Sequence, residues 1–180
     1  MTHHITLPLT REKAISLKTG DAVYLTGEIF TARDAAHKRF TEAIKNNEPL
    51  PISLQDATIF YVGPTPAKPN QIIGACGPTT GTRMDAYAPT LLHQGVRAMI
   101  GKGKRAPSVI QAMKENGAVY LGAIGGAGAL LASCVTAYEV IAYHDLGTEA
   151  VHRLQVKDFP AIVLVDATGE DLYDRATPSL

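Results

Sequence analysis

Short apolar runs, separated by turns that contain glycine or proline, fill the first two thirds of the chain. Residues 22–30 predict a strand pair or a single strand bent at Gly27, and residues 58–62 predict a fully buried strand. Between them, apolar residues recur at the spacing of an amphipathic helix over residues 32–46, with Thr31 as the N-cap. The pattern therefore alternates between strands and helices.

The start of the chain shows a shorter version of the same alternation. Residues 5–9 predict an edge strand, because Pro8 is tolerated at the edge of a sheet and not at its centre. Residues 10–17 predict a helix that has Thr10 as its N-cap.

The middle of the chain continues this alternation, and the last part changes to strands. Further strands are predicted at 72–76, 98–100 and 118–123, with helices up to about His93, at 107–115 and at 129–134. Successive strand–helix units predict a parallel central layer, and the β-rich ranges 138–143, 150–156 and 161–166 are expected to add strands that make the sheet mixed. We expect the α/β fold class, with a mixed, partly parallel central sheet in a single domain over residues 1–180.

Charge and composition exclude several classes of function. The chain has 17 Lys and Arg residues and 17 Asp and Glu residues, so no net field attracts nucleic acid or an anionic membrane. The first residues lack the segments of a secretory signal, and glycines interrupt the apolar range 117–134, which argues against a membrane span. We expect a cytoplasmic protein with neither a nucleic-acid nor a membrane partner.

Metal and nucleotide motifs are also missing from the sequence. Cys76 and Cys134 are too few to hold a 4Fe–4S cluster, and the histidines lack metal-ligand spacing, so we expect no metal bound by this chain alone. The loop around Lys102 fails the phosphate-binding pattern, because Gly103 stands where that pattern needs a hydroxyl for magnesium.

Cationic and hydroxyl side chains follow three of the predicted strands. One loop contains Thr79 and Thr80 and then Arg83, so two hydroxyls and a guanidinium converge where an anion can bind. Arg33 and Lys102 occupy two further strand-to-helix junctions, and such junctions face a common crevice in α/β sheets. Three cations in a chain of zero net charge predict an anion site, and a ligand with two carboxylates would occupy all three.

Each of these residues also has a simpler interpretation. Thr79 or Thr80 can cap the helix that follows, and Arg83 can pair with Asp85 on the helix surface. His37 lies one helical turn after the arginine of its junction and could orient a ligand. A lone histidine is, however, more often satisfied inside the protein or solvated on its surface.

Four segments of the chain carry a resemblance to a known family. They are 31–37 (Thr-Ala-Arg-Asp-Ala-Ala-His), 77–80 (Gly-Pro-Thr-Thr) followed by 83–85 (Arg-Met-Asp), 100–103 (Ile-Gly-Lys-Gly) and 123–126 (Ala-Ile-Gly-Gly). Together they resemble the β-subunit, or C-terminal domain, of the iron–sulfur hydro-lyases, which include class I fumarases and L-tartrate dehydratases. Residues 146–151 and 156–161 look more like fumarase, although Thr82 and Lys104 stand where fumarases usually have Gly and Asn.

This resemblance implies a swivelling β/β/α-type domain that works with a separate α-subunit in a larger oligomer. In such enzymes the α-subunit binds a 4Fe–4S cluster through three cysteines and leaves one iron open as a Lewis acid, so the cofactor is expected on the partner. The implied activity is the reversible hydration of fumarate to (S)-malate. The alternatives are an L-tartrate dehydratase or related 2-hydroxydicarboxylate hydro-lyase and, from another class, a non-catalytic anion-binding module.

The resemblance also implies roles for individual residues. Arg33, Arg83 and Lys102 would bind the dicarboxylate, and Thr79 would lie at the reacting carbon as the base for the C3 proton. The predicted substrate-binding residues are Arg33, His37, Thr79, Thr80, Arg83 and Lys102, and the predicted catalytic residue is Thr79.

Overall fold

The structure, a computed structural model, describes residues 1–123 and 128–176. Its strands are β1 (Thr2–Thr6), β2 (Ala22–Thr31), β3 (Thr58–Phe60), β4 (Ala98–Gly101), β5 (Val119–Gly122), β6 (Val135–Ala142) and β7 (Val151–Val165). Its α-helices are α1 (Arg11–Ser16), α2 (Asp34–Lys45), α3 (Ala88–His93), α4 (Pro107–Asn116), α5 (Gly128–Ser133) and α6 (Leu172–Ala176). Two segments form 3₁₀ helices, Gly81–Met84 and His144–Glu149. In the described part of the chain, no helix has the length and apolar character needed to cross a membrane.

The strands form one mixed sheet in the order β1-β2-β3-β4-β5-β7-β6. Neighbours from β1 to β5 run parallel, whereas β7 runs antiparallel to β2, β5 and β6. Because β7 pairs with both β2 and β5, the strands β2, β3, β4, β5 and β7 close into a ring. The predicted α/β class with a mixed, partly parallel sheet is thereby confirmed.

Alternate residues of the ring strands fill two apolar cores on opposite faces of the sheet. On β4, Ala98 and Ile100 belong to one core, whereas Met99 belongs to the other. The second core packs the sheet against α2, α3 and α4, through side chains that include Phe40, Leu92 and Met113. Strands β4 and β5 are buried on both faces, as parallel strands usually are, so their carboxyl ends are held by rigid, covered elements.

Several local predictions are confirmed. Helix α1 begins after Thr10, whose Oγ1 accepts a hydrogen bond from the amide of Lys13 at 3.3 Å. Strand β2 is one bent strand, because its register with β7 shifts between Leu25 and Gly27, where Gly27 has a φ of 135°.

The predicted N-cap at Thr31 is wrong. Thr31 is the last residue of β2, and helix α2 begins three residues later, at Asp34. The hydroxyl is used across the sheet, since Thr31 Oγ1 lies 2.8 Å from Nδ1 of His152 and accepts the amide of that residue at 3.1 Å. A buried hydroxyl takes the partner that the tertiary structure offers, and here that partner is on β7.

The predicted strand at residues 72–76 is also wrong, because this apolar run is irregular backbone. Thr65 holds it in place: the amide of Ala75 donates to Thr65 Oγ1 at 2.8 Å, and the amide of Thr65 donates to the carbonyl of Ala75 at 3.1 Å. Ile73 and Cys76 are nevertheless buried. The apolar run that predicted a strand therefore combines these buried side chains with an exposed Ile72, in backbone that forms no ladder.

Other differences concern element boundaries. The first strand, β1, begins three residues before the predicted range 5–9 and ends at Thr6, inside that range. The predicted strands at 150–156 and 161–166 are parts of the single strand β7. Residues 124–126, most of the fourth family segment, lie outside the described residues.

Candidate active site at the carboxyl ends of the parallel strands

The junctions after β2 and β4 lie at the same edge of the sheet. Both strands run parallel to β3, which separates them, so the carboxyl ends of all three meet there. The ladder continues past β2, where the amide of Ala32 donates to the carbonyl of Phe60 at 3.1 Å. Arg33 and Lys102, which follow β2 and β4 in the chain, therefore lie at one edge, as the sequence predicted.

The loop that contains Thr79 and Thr80 lies between the carboxyl ends of β3 and β4. The amide of Thr79 donates to the carbonyl of Tyr61 at 2.7 Å, and the amide of Lys102 donates to the carbonyl of Thr79 at 3.3 Å. Thr80 forms a parallel bridge with Lys102, and the amide of Gly81 donates to the carbonyl of Lys102 at 2.8 Å. The two threonines, both half-buried, are thus joined directly to the backbone of the exposed Lys102.

This backbone pairing decides which groups of the loop can bind an anion. The amides of Thr79 and Gly81 are already donated to carbonyls, so an anion would be bound by the hydroxyls and the nearby cations and not by these two amides. Thr80 occupies the N-cap position of the 3₁₀ helix without a side-chain capping bond, so the simpler interpretation of Thr80 as a cap is wrong. Thr79 lies one residue before that position and is held through its backbone.

Arg83 is paired with a carboxylate of α2. Its Nε donates to Oδ2 of Asp34 at 3.2 Å, and its Nη2 lies 3.1 Å from Oδ1 of the same side chain. The predicted alternative, a surface pair between Arg83 and Asp85, is therefore wrong. The pairing brings the guanidinium to the start of α2, next to Arg33, and shows that it can take a carboxylate as its partner.

Arg33 lies at the same edge of the sheet, directly before α2. Its Nε is 3.9 Å from Oε1 of Glu149, and its side chain is 24% exposed. It packs closely over Gly63, where a Cβ atom would be 2.9 Å from Nη1 of the arginine. This edge, the predicted crevice, thus carries the three predicted cations, and their two acidic neighbours, Asp34 and Glu149, leave a net positive charge for an anionic ligand.

His37 lies beneath the crevice. Its Nδ1 is 2.8 Å from the carbonyl oxygen of Arg33, and its ring packs edge-on against Tyr61 at 5.3 Å between centroids. The residue is 1% exposed, and this burial lowers the pKa of the imidazole from 6.5 to about 4. A neutral, buried and hydrogen-bonded ring matches the simpler interpretation of this residue, and direct contact with a ligand stays a prediction.

The buried imidazole has a consequence for acid stability. Between pH 6.5 and pH 4 the unfolded chain binds a proton at His37 that the folded chain excludes, so the free energy of unfolding falls as the pH drops through that window. We expect this residue to cost about 2 kcal/mol of stability between pH 7 and pH 5. Denaturant unfolding of His37→Gln should therefore show a pH 7 to pH 5 difference smaller by that amount.

The matched control is His144→Gln, which replaces an exposed imidazole. It should retain the wild-type difference between the two pH values. An unchanged difference in His37→Gln would show that the ring accepts its proton in the folded protein.

Sequence reasoning missed a third arginine near this site, and it is buried. Arg105 pairs with Asp85, and the side chain of the arginine has no solvent exposure. Asp85 belongs to one of the family segments. A carboxylate at this position was a signal that it forms a salt bridge with some cationic side chain. Nothing in the spacing distinguished Arg105 from the other arginines as that cation.

The cysteines of this chain do not fit an iron–sulfur cluster. Cys76 is buried, which raises the pKa of its thiol to about 11 and disfavours the thiolate that binds iron. Burial also raises the pKa of the Cys134 thiol, and within residues 1–123 and 128–176 no three or more His, Cys, Asp or Glu side chains are grouped to hold a metal ion.

Fold and site together define an α/β protein with cationic and hydroxyl side chains at the carboxyl ends of its parallel strands. Comparison with known proteins agrees with this class and narrows it. The chain belongs to the Fumarase C-terminus family, whose model matches residues 2–176.

Its relatives are named for hydro-lyase reactions. Fumarate hydratase 2 of Leishmania major is 38% identical over 167 residues, which are 92% of this chain and 29% of that protein. The aerobic class I fumarate hydratase of Escherichia coli K12 is 40% identical over 153 residues, which are 84% of this chain and 28% of that protein. A putative L(+)-tartrate dehydratase subunit beta of Methanocaldococcus jannaschii is 39% identical over 173 residues, which are 93% of this chain and 89% of that protein. The chain therefore spans less than a third of these fumarate hydratases and most of the tartrate dehydratase subunit.

Proposed function

We propose that this chain is the β-subunit of a two-subunit class I fumarate hydratase, which hydrates fumarate reversibly to (S)-malate in the cytoplasm. The observation that carries the proposal is that Thr79, Lys102, Arg33 and Arg83 all lie beside the carboxyl ends of β2, β3 and β4, at one edge of the sheet. The 4Fe–4S cluster is assigned to an α-subunit, with which this chain forms a larger oligomer and a shared active site.

In this proposal the cations of the crevice bind both carboxylates of the substrate. Removing a proton next to a carboxylate adds negative charge to a group that is already anionic. The product of this step is a carboxylate that carries two negative charges. Lys102 and Arg83 flank the threonine loop and would stabilise that dianion more strongly than the bound substrate. Stronger stabilisation of the transition state than of the ground state is the condition for catalysis. Arg33 would bind the remote carboxylate and hold the substrate in register.

Thr79 would transfer the C3 proton. A threonine hydroxyl is a weak base, so this role needs either a neighbouring cation that stabilises the alkoxide or a group that takes the proton onward. The amide of Lys102 donates to the carbonyl of Thr79 at 3.3 Å, so the exposed side chain of Lys102 is the candidate for that cation.

A second candidate is the β-subunit of an L-tartrate dehydratase or a related 2-hydroxydicarboxylate hydro-lyase. The tartrate dehydratase subunit of Methanocaldococcus jannaschii, which this chain covers to 89%, favours it. Thr82 and Lys104, the two departures from the fumarase pattern, lie directly beside Arg83 and Gly103 of the crevice loops. A non-catalytic anion-binding module would use the same cations and predicts binding without turnover.

Replacement of Arg83 by lysine tests the carboxylate site. Arg83→Lys keeps the charge but loses the planar, two-pronged contact, so the KM of the reconstituted complex for its dicarboxylate should rise about 10- to 100-fold. Steady-state kinetics with fumarate and with tartrate measure this change.

The matched control is Arg175→Lys. Arg175 pairs with Glu170 and its side chain is 48% exposed, close to the 49% of Arg83. Its variant should leave the KM unchanged. Equal KM values for Arg83→Lys and the wild type would show that Arg83 only holds Asp34 and would remove it from the substrate site.

A further inference from the structure

Arg105 forms a buried cluster directly under the threonine loop. Its Nε donates to Oδ1 of Asp85 at 2.7 Å, and its Nη2 donates to the hydroxyl of Tyr61 at 3.1 Å. Its guanidinium also lies over the ring of Tyr120, 4.7 Å from the centroid. One fully buried side chain therefore contacts the segment after β3, the end of the 3₁₀ helix and strand β5.

Asp85 connects this cluster to the next helix. Its second oxygen, Oδ2, accepts the amide of Ala106 at 2.8 Å, immediately before α4. The carboxylate is thus bonded on both sides, and breaking a buried pair of this kind leaves an uncompensated charge. Asp85 consequently fixes the distance between the end of the 3₁₀ helix and the start of α4.

Gly81 transmits this contact to the crevice. A Cβ atom at Gly81 would lie 2.8 Å from Cδ of Arg105 and 2.6 Å from the hydroxyl oxygen of Tyr120, so the backbone rests directly on both side chains. The amide of Gly81 donates to the carbonyl of Lys102, whose own amide donates to Thr79. Arg105 therefore contacts Gly81, and Gly81 is hydrogen-bonded to the bridge that joins Thr79 to Lys102.

We infer that Arg105 is a positioning residue for the reaction: through Asp85, Tyr61 and Gly81 it sets the position of Thr79 relative to Lys102. The inference rests on the proposed function, since it assigns these two residues to proton transfer and charge stabilisation. Misplacement of a reacting group by about 1 Å is enough to cost a factor of about 100 in rate. Arg83 and Arg33 are held by other contacts, with Asp34 and over Gly63, so substrate binding should depend less on Arg105.

Arg105→Lys tests this inference, because lysine keeps the charge but cannot reach Asp85 and Tyr61 with one planar fork. In the complex with an α-subunit, kcat should fall about 10- to 100-fold while the KM changes much less. In the full chain alone, hydrogen exchange at the amides of Thr79 and Gly81 should accelerate. Tyr61→Phe, which removes only the hydroxyl, should shift both measurements in the same direction and by less.

Arg97→Lys is a matched control. Arg97 is also buried and also pairs with an aspartate, since its Nη2 lies 2.8 Å from Oδ1 of Asp56, but it lies just before β4, at the opposite end of that strand from Arg105. A loss of thermal stability comparable to that of Arg105→Lys is expected. The kcat of Arg97→Lys should match that of the wild type. The exchange rates of its Thr79 and Gly81 amides should also match, after correction for the lower global stability of the variant.

The outcomes separate the two claims. If Arg105→Lys and Arg97→Lys change kcat and exchange equally, Arg105 only stabilises the fold and the positioning role is overturned. Unchanged exchange in both Arg105→Lys and Tyr61→Phe also overturns it. A wild-type complex that converts neither fumarate nor tartrate overturns the proposed function instead, and the exchange measurement on the full chain still decides whether Arg105 holds the loop.

Discussion

Thr79→Val is expected to lower the kcat of the reconstituted complex about 10²- to 10⁴-fold, the usual contribution of a general acid–base group. Valine keeps the shape of threonine and removes only the hydroxyl. Thr79 is held through two backbone hydrogen bonds: its amide donates to the carbonyl of Tyr61, and its carbonyl accepts the amide of Lys102. A valine at this position retains both. Binding through Arg33 and Arg83 should therefore persist, so the KM should change little.

The measurement combines kcat with thermal stability on one preparation of the complex. A helix cap would cost about 1 kcal/mol of stability and leave the rate nearly intact. The control is Thr58→Val at the start of β3, where a 2% exposed threonine has a hydroxyl without a hydrogen-bond partner among the described residues. That variant should keep the wild-type kcat. A stable Thr79→Val complex with wild-type turnover would remove Thr79 from the mechanism.

Reconstitution with an α-subunit should produce activity that this chain lacks by itself. The crevice provides cations and hydroxyls, and the cysteines of the chain do not fit a cluster, because burial raises the pKa of both thiols. The chain purified without a partner should therefore show neither iron–sulfur absorption nor hydratase activity. Both should appear when it is produced together with an α-subunit under anaerobic conditions.

The same preparation decides the substrate. Turnover of fumarate supports the fumarate hydratase assignment, and turnover of tartrate alone supports the second candidate. An isolated chain that hydrates fumarate at the full rate would contradict the shared site. Dicarboxylate binding without turnover, in a complex that contains its cluster, would favour the non-catalytic module.

Several features of the site could be predicted from sequence because they depend on local order along the chain. Parallel strands share one polarity, so Arg33 and Lys102, each placed after a strand, had to face the same edge. The two hydroxyls of Thr79 and Thr80 followed by Arg83 were visible as a short motif of suitable chemistry. The bend of β2 at Gly27 and the cap at Thr10 likewise depend on residues that are close in sequence.

Partners across the sheet could not be predicted in this way. Arg83 meets Asp34, which is 49 positions away, and Arg105 meets Asp85 at 20 positions, although a surface pair of Arg83 with Asp85 was the nearer choice in sequence. Thr31 is bonded to His152, 121 positions away, and not to the helix that follows it. Each choice depends on how the ring of strands closes, and no local propensity contains that information.

What the sequence determined by itself was therefore the set of chemical groups, the alternation of elements and the edge at which the groups meet. Only the tertiary structure decided which groups are buried and which are paired. His37 became a neutral core residue, and residues 72–76 became a loop with Ile73 and Cys76 buried, for the same reason. Side chains inside a packed protein must satisfy their charge and hydrogen bonds with whatever long-range packing brings near them.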